Sequence, residues 1–316
     1  MNGRAPGVTA LPASVRLEAG EGGLTRVVVS GRAASAEIYL QGAHVTSWVP
    51  SGQDPVLWMS AAGQFGAGLA LRGGVPVCFP WFGPAPSAGG GPLHGFARIS
   101  DWTLLEAVEK GDDVMLRFLL EDTEASRASV WPHAFEARYE ITVGAELLLR
   151  LTVTNTGTVP ITFEEAFHTY LGVGDVQKVT IDGLGDMPYV DRLGGDHEEP
   201  PAGESLQITA ETDRVYAQPG RIVVRDPAGG CDLTVATTGS ANAVVWNPGA
   251  AKAVAMGDFG DEEWREMVCV ETCNVRERAV TLGAGAERTM AAAVSATSTA
   301  PRGTGPQRGE PVRQLA

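Results

Sequence analysis

From Asp101 onward the sequence breaks into short runs of β-branched and large apolar residues, each closed by glycine or aspartate. Residues 102–108, 114–121, 135–143 and 147–155 follow one another, with Gly111-Asp112-Asp113 and Gly144-Ala145 as punctuation. Short alternating runs separated by turn residues are the mark of antiparallel meanders, and a chain built from them closes into a large sandwich or barrel. The pattern extends to 24–30, 36–40, 43–48, 161–171, 178–182, 214–215, 221–225, 233–237, 243–246, 267–275 and 289–295. Forty glycines and twenty prolines in 316 residues supply the turns that so many strands need. No segment carries the period and length of a long helix. The expected fold class is therefore all-β, a large antiparallel β-sandwich.

Residues 1–13, rich in Gly, Ala and Pro, read as a flexible N-terminal segment, and 297–316 as a disordered polar tail. Between them, 14–296 shows no linker and no internal repeat, so a single β-sandwich domain is expected. Residues 71–92 form a Gly/Pro stretch too irregular for helix or strand, and a loop that long in a compact domain is usually functional. No run of eighteen apolar residues is present, so no membrane span is expected. The opening MNGRAPGVTALPAS lacks the charged-then-apolar order of a secretory signal, which points to a cytoplasmic location. The net charge of -14 argues against nucleic acid and anionic membrane as partners. Lysine occurs only at 110, 178 and 252, so anion binding would rest on arginine. Cys78, Cys231, Cys269 and Cys273 form neither a CxxC nor a disulfide framework. They read as free thiols of a reducing compartment, with no metal site completed nearby. Oligomeric state is not encoded in any visible pattern; a monomer is the working expectation.

The strand 267–275, MVCVETCNV, carries the chemistry. Alternation places Met267, Cys269, Glu271, Cys273 and Val275 on one side, a single carboxylate between two thiols on an apolar stripe. Desolvation raises the pKa of such a carboxylate, which suits a general base near neutral pH. The alternative is an edge strand with Glu271 in solvent. In LRGGVPVCFPWFGP the glycines allow close backbone approach, Arg72 offers a planar fork for a carboxylate or phosphate, and Phe79, Trp81 and Phe82 are candidates for an apolar wall. A packed loop with Arg72 in a structural salt bridge is the competing reading. In LHGFAR, His94 and Arg98 stand four apart on a segment read as extended, so they share a side. In 161–171, Glu164, Ala166, His168 and Tyr170 would share a face opposite Phe163, Phe167 and Leu171, and histidine is the commonest general acid/base. Asp213, in ETDRVY, is able to accept from sugar hydroxyls or to pair with Arg192 or Arg214.

LRGGVPVCFPWFGP, HGFARISDW, FHTYLGVGD, ETDRVY, VVWNP and DFGDEEWREMVCVETCNV occur in an order that resembles the hexose-6-phosphate mutarotases, the glucose-6-phosphate 1-epimerases of the aldose 1-epimerase superfamily. The likeness runs from about residue 24 to about 295. It implies a β-supersandwich of the galactose-mutarotase type and a cytoplasmic, cofactor-free isomerase acting on a small-molecule sugar phosphate. By the same resemblance His168 matches the catalytic acid and Glu271 the catalytic base. Arg72, Arg98 and Asp213 match substrate-binding residues, and His94 resembles a histidine that touches the sugar in the wider superfamily. One departure is Leu93, where the family often has glutamine; a side-chain hydrogen bond to substrate is lost there.

Mutarotation needs a base for the anomeric hydroxyl and an acid for the ring oxygen. The expectation is Glu271 ionised and His168 protonated at the start, on different strands, flanking the reacting end of the sugar with room for a pyranose between them. No metal or nicotinamide is required, and no dinucleotide fingerprint is present in proper context. Two alternatives are a mutarotase for free sugars such as galactose, which has no need of paired arginines, and a non-catalytic carbohydrate-binding sandwich.

Overall fold

A computed structural model describes residues 10–86, 90–217 and 220–299. Among them the strands form sheets of nine, eight, four and two, with antiparallel neighbours. The fold class is all-β, as expected. The nine-stranded sheet contains the meander Thr103–Lys110, Asp113–Glu121, Glu136–Val143 and Leu147–Thr154, followed by Glu287–Ser298. In Leu147–Thr154, Leu147, Leu149, Leu151 and Val153 are buried while Leu148 and Arg150 face outward. Slipping that strand by one residue would exchange the two sets, so the apolar pattern pins the register.

The eight-stranded sheet carries the site. Its path runs His197–Glu199, Tyr189–Asp191, Thr212–Ala217, Asn242–Asn247, Met267–Asn274, Glu165–Phe167 and Val77–Cys78, and Tyr170–Gly172 also pairs with Met267–Asn274. The two large sheets meet where Tyr139 stacks on Phe167, ring centroids 5.5 Å apart. One apolar cluster extends from Val15 to Val294. No helix among the described residues is long and apolar enough to cross a membrane.

The structure differs from the sequence reading in three places. The run 161–171 is three strands rather than one. Ile161–Phe163 pairs with Val280–Leu282, whereas Glu165–Phe167 and Tyr170–Gly172 pair with Met267–Asn274. The first break falls at Glu164, whose carboxylate accepts the backbone N–H groups of Phe82 and Arg276. Glu164 therefore tethers loops, and of the four residues read as sharing a face only His168 borders the cavity described below. The last strand also runs through Thr297 and Ser298, which pair with Asp232 and Cys231, so the sheet continues into the segment expected as tail. Residues 300–316, and 1–9 of the segment expected to be flexible, lie outside the described residues. Finally, Arg98 stands in the short 3-10 helix Ala97–Ile99, not on an extended segment.

Candidate active site

In an antiparallel sheet, residues directly opposite one another share a face. Asp213 pairs with Trp246, Trp246 with Cys269, and Cys269 with Tyr170, giving one row across four strands. The next row on the same face is Val215, Val244 and Glu271. Glu271 does lie between Cys269 and Cys273 on one side, and the strand is central rather than an edge, with all eight residues buried. The Glu271 side chain is 1% exposed, which removes the solvent-exposed alternative.

His168 follows the Glu165–Phe167 strand. Its N–H donates to Pro76, and the next carbonyl, Thr169, accepts from Val270, so the backbone there is held on both sides. The imidazole stacks on Tyr170 at 4.7 Å and meets His94 and Trp246 edge-on. Its Nε2 lies 3.4 Å from Glu271 Oε1. That spacing leaves no room for a pyranose between the two groups, which corrects the flanking arrangement expected from sequence. The two proton-transfer sites of mutarotation are oxygens on a single carbon, so an adjacent couple beneath the ring reaches both.

The couple opens on a cavity of about 340 Å³ that Arg72, His94 and Asp213 also border. Its volume is in the range of small-molecule sites, ~300–1,000 Å³. Phe82 and Trp246 line it with aromatic surface, and Leu93 stands at its rim without a polar group to offer. Phe79 and Trp81, expected in the wall, are instead buried in the core. Arg192 and Lys252 border the cavity and were not singled out as site residues from sequence. A larger hollow of about 540 Å³ lies farther along the sheet against Val190, Val215 and Asn242, and no Glu–His couple borders it.

Local geometry explains the motifs. Gly74 of LRGG has φ 62°, and a Cβ there would stand 2.2 Å from the Val45 carbonyl oxygen. His44, also buried, holds the same loop through Nε2 and the Gly73 carbonyl at 2.8 Å. The loop delivers Arg72, whose Nε and Nη2 bind both oxygens of Asp258 and whose Nη1 donates to the Tyr170 hydroxyl at 3.1 Å. Arg72 thus makes the structural salt bridge and borders the cavity too. His94 is a left-handed residue at φ 62°, beside Gly95, where a Cβ would sit 2.1 Å from the Phe79 oxygen. The His94 Nδ1 accepts the Gly83 N–H, so a neutral ring carries its proton on Nε2. Arg98 does not border the cavity, yet its field reaches His94 and His168. It makes no hydrogen bond or ion pair with any described residue, and its Nε is buried without a partner. Asp213 is nearest Arg192, at 3.6 Å, while Arg214 pairs with Asp191.

Burial, then Asp213, pushes the Glu271 pKa well above the usual carboxylate range, with Arg192 opposing. Burial, then His94, Arg72 and Arg98, pulls that of His168 well down. Desolvation therefore opposes the charged form of each group, whereas an ionised pair is expected from sequence. His94 is brought down to about 3 by burial and the neighbouring arginines and stays neutral. Cys269 and Cys273 are pushed up by burial and then by Glu271, so both remain thiols and are poor nucleophiles.

Residues 26–294 match the profile of the aldose 1-epimerase family. The chain belongs to that family. Membership makes it an isomerase that interconverts the anomers of an aldose. Among relatives, an Escherichia coli (strain K12) protein named "Putative glucose-6-phosphate 1-epimerase" is 40% identical over 80% of this chain and 84% of its own length. A Cenchrus ciliaris protein of the same name is 37% identical over 84% of this chain and 82% of its own. A Salmonella typhimurium crystal structure described as "a putative mutarotase" superposes with TM-score 0.85 at 34% identity, covering 93% of this chain and 97% of that one. A Lactobacillus acidophilus galactose mutarotase related enzyme shares the fold at TM-score 0.68 and 17% identity, over 87% of this chain and 98% of that one.

Proposed function

We propose that this epimerase interconverts the α and β anomers of a hexose 6-phosphate, glucose 6-phosphate foremost, with Glu271 as base and His168 as acid. Glu271 takes the proton of the C1 hydroxyl, the C1–O5 bond breaks as C1=O forms, and O5 receives the proton from His168. Rotation about C1–C2 presents the other carbonyl face. O5 then adds back to C1, returning its proton to His168 while O1 regains the proton held by Glu271.

The observation that carries the phosphate reading is Arg98. A guanidinium mostly withdrawn from water, without an ion pair and within the field of Arg72, calls for an anion. Arg98 and Arg72 bring two positive charges against one carboxylate, Asp258, so the cluster is left with net positive charge. A phosphate dianion placed there also bears on the catalytic couple. Arg72 and Arg98 are two of the groups that hold His168 unprotonated. Neutralising them lets the shared proton pass from Glu271 to His168, which is the ionised arrangement that ring opening uses. Asp213 and the Nε2–H of His94 are left to bind the sugar. The four free cysteines fit a reducing cytoplasm.

Polarimetry of freshly dissolved α-glucose 6-phosphate tests this. The protein should speed relaxation of the phosphate ester far more than that of glucose or galactose. Equal acceleration of free and phosphorylated sugars would return the choice to a general aldose mutarotase.

A further inference from the structure

Arg192 is a charged side chain at the cavity that neither gives nor takes a proton in the acid/base chemistry. Its N–H donates to the Asp213 carbonyl at 2.9 Å, so it extends by one place the row Asp213, Trp246, Cys269 and Tyr170. The guanidinium lies 5.9 Å from the centre of the Phe82 ring. It stands 3.6 Å from Asp213 Oδ1, beyond hydrogen-bond range. Arg192 makes no side-chain hydrogen bond with any described residue, and Asp213 Oδ1 is buried with no partner. Lys252, the other cation near this end, is by contrast held by Glu211 at 2.8 Å. A donor with no partner among the described residues and a buried unsatisfied acceptor thus stand side by side at one edge of the cavity. A vicinal diol matches such a pair, giving a proton to the carboxylate and accepting one from the guanidinium.

The row also fixes which diol. Arg72 bonds Tyr170 at one end, and Arg192 and Asp213 form the other. Three interstrand spacings separate Asp213 from Tyr170, about 14 Å between Cα atoms. With C1 and O5 over Glu271 and His168 and the 6-phosphate toward Arg72 and Arg98, C5 points to the Tyr170 end. The bond opposite C5–O5 in a pyranose is C2–C3. We propose that Arg192, together with Asp213, holds the C2–C3 diol of the sugar and thereby sets the enzyme's preference among C2 and C3 epimers. The orientation rests on the hexose 6-phosphate reading.

The test is kinetics of wild type and Arg192→Ala on glucose 6-phosphate, its 2-deoxy and 3-deoxy analogues, and free glucose. Loss of a charge-assisted bond should lower kcat/KM on glucose 6-phosphate by about 10- to 100-fold. Free glucose, which has the same diol, should lose by a similar factor. On the deoxy sugar lacking the hydroxyl that Arg192 holds, wild type should already be weakened and the substitution should add little. Arg192→Lys should recover part of the loss, and melting curves report whether each variant is folded. An equal loss on the parent and both deoxy sugars overturns the proposal, because the arginine then acts on structure or on the Glu271 charge and not on a hydroxyl. A loss confined to phosphorylated sugars overturns it differently, by putting the phosphate at the Arg192 end. Wild type active on free hexoses but not on hexose 6-phosphates refutes the phosphate reading alone, and the diol comparison then decides this proposal on glucose and its deoxy analogues. Inactivity on every sugar overturns both.

Discussion

Replacing Arg98 by methionine separates ligand binding from folding. Arg98 is largely buried, lacks an ion pair and a hydrogen bond among the described residues, and lies within the field of Arg72. An uncompensated charge in such a place opposes folding, since desolvating an ion costs several kcal/mol even after relaxation. Methionine has a similar reach and no charge. The variant should therefore be as stable as wild type or more so, by on the order of 1 kcal/mol, which is ~2–4 °C in Tm for a domain somewhat smaller than this one. The same change removes a guanidinium from the phosphate site. Arg98 acts on the phosphate through its field and does not line the cavity, so KM for glucose 6-phosphate should rise by up to about 10-fold, with a much smaller change for glucose. Differential scanning calorimetry without ligand and progress curves on both sugars give the two readouts. A variant that melts well below wild type and weakens on both sugars alike would refute the reasoning and make Arg98 a structural residue.

Other outcomes follow from the couple and from a second buried carboxylate. Glu271→Gln and His168→Ala should each fold and lose about two or more orders of magnitude in anomerisation. The double variant should be scarcely worse than either single one, because the groups act as a unit. Removing a proton from the couple requires ionising Glu271, well above the usual carboxylate range, and adding one requires protonating His168, well below 6.5. The kcat/KM profile, corrected for the phosphate's own ionisation near ~6, should therefore stay flat through pH 6.5, and an inflection there would show an ordinary histidine. Glu165 is buried against Asn274, and burial raises its pKa to about 7. Its unfolded value is ~4.3, so the native state binds the extra proton between roughly pH 4.5 and 7 and stability falls as pH rises through that window. Glu165→Gln should flatten that slope and gain on the order of 3–4 kcal/mol at pH 8, as measured by urea unfolding.

The strands were readable because burial alternates along them, as in Leu147–Thr154. The burial of Glu271 is legible for the same reason: a lone carboxylate on an apolar stripe is carried inward with its neighbours. The failures have tertiary causes. The run 161–171 is continuous in β propensity, but the Glu164 carboxylate is drawn to two distant backbone N–H groups and the strand breaks there. The partners of Arg72, Asp258 and Tyr170, lie 186 and 98 residues away and leave no local signal. The sequence offers Arg192 and Arg214 equally as partners of Asp213, and only the strand register puts Arg192 beside it at the cavity. The couple was expected to flank the sugar because face alternation says which side a residue is on, not how close two strands bring their side chains. Val244 and Trp246 share a face of a strand with no charged residue, the pattern of a buried floor.

The most direct test of the account is exchange NMR at C1 of glucose 6-phosphate at anomeric equilibrium. Wild type should produce α–β exchange cross-peaks within mixing times where the uncatalysed sample shows none. Glu271→Gln, at equal concentration and folded by the same spectra, should leave them absent. Cross-peaks undiminished in Glu271→Gln, or none in wild type, would contradict the assignment of the Glu271–His168 couple to the anomerisation of hexose 6-phosphates.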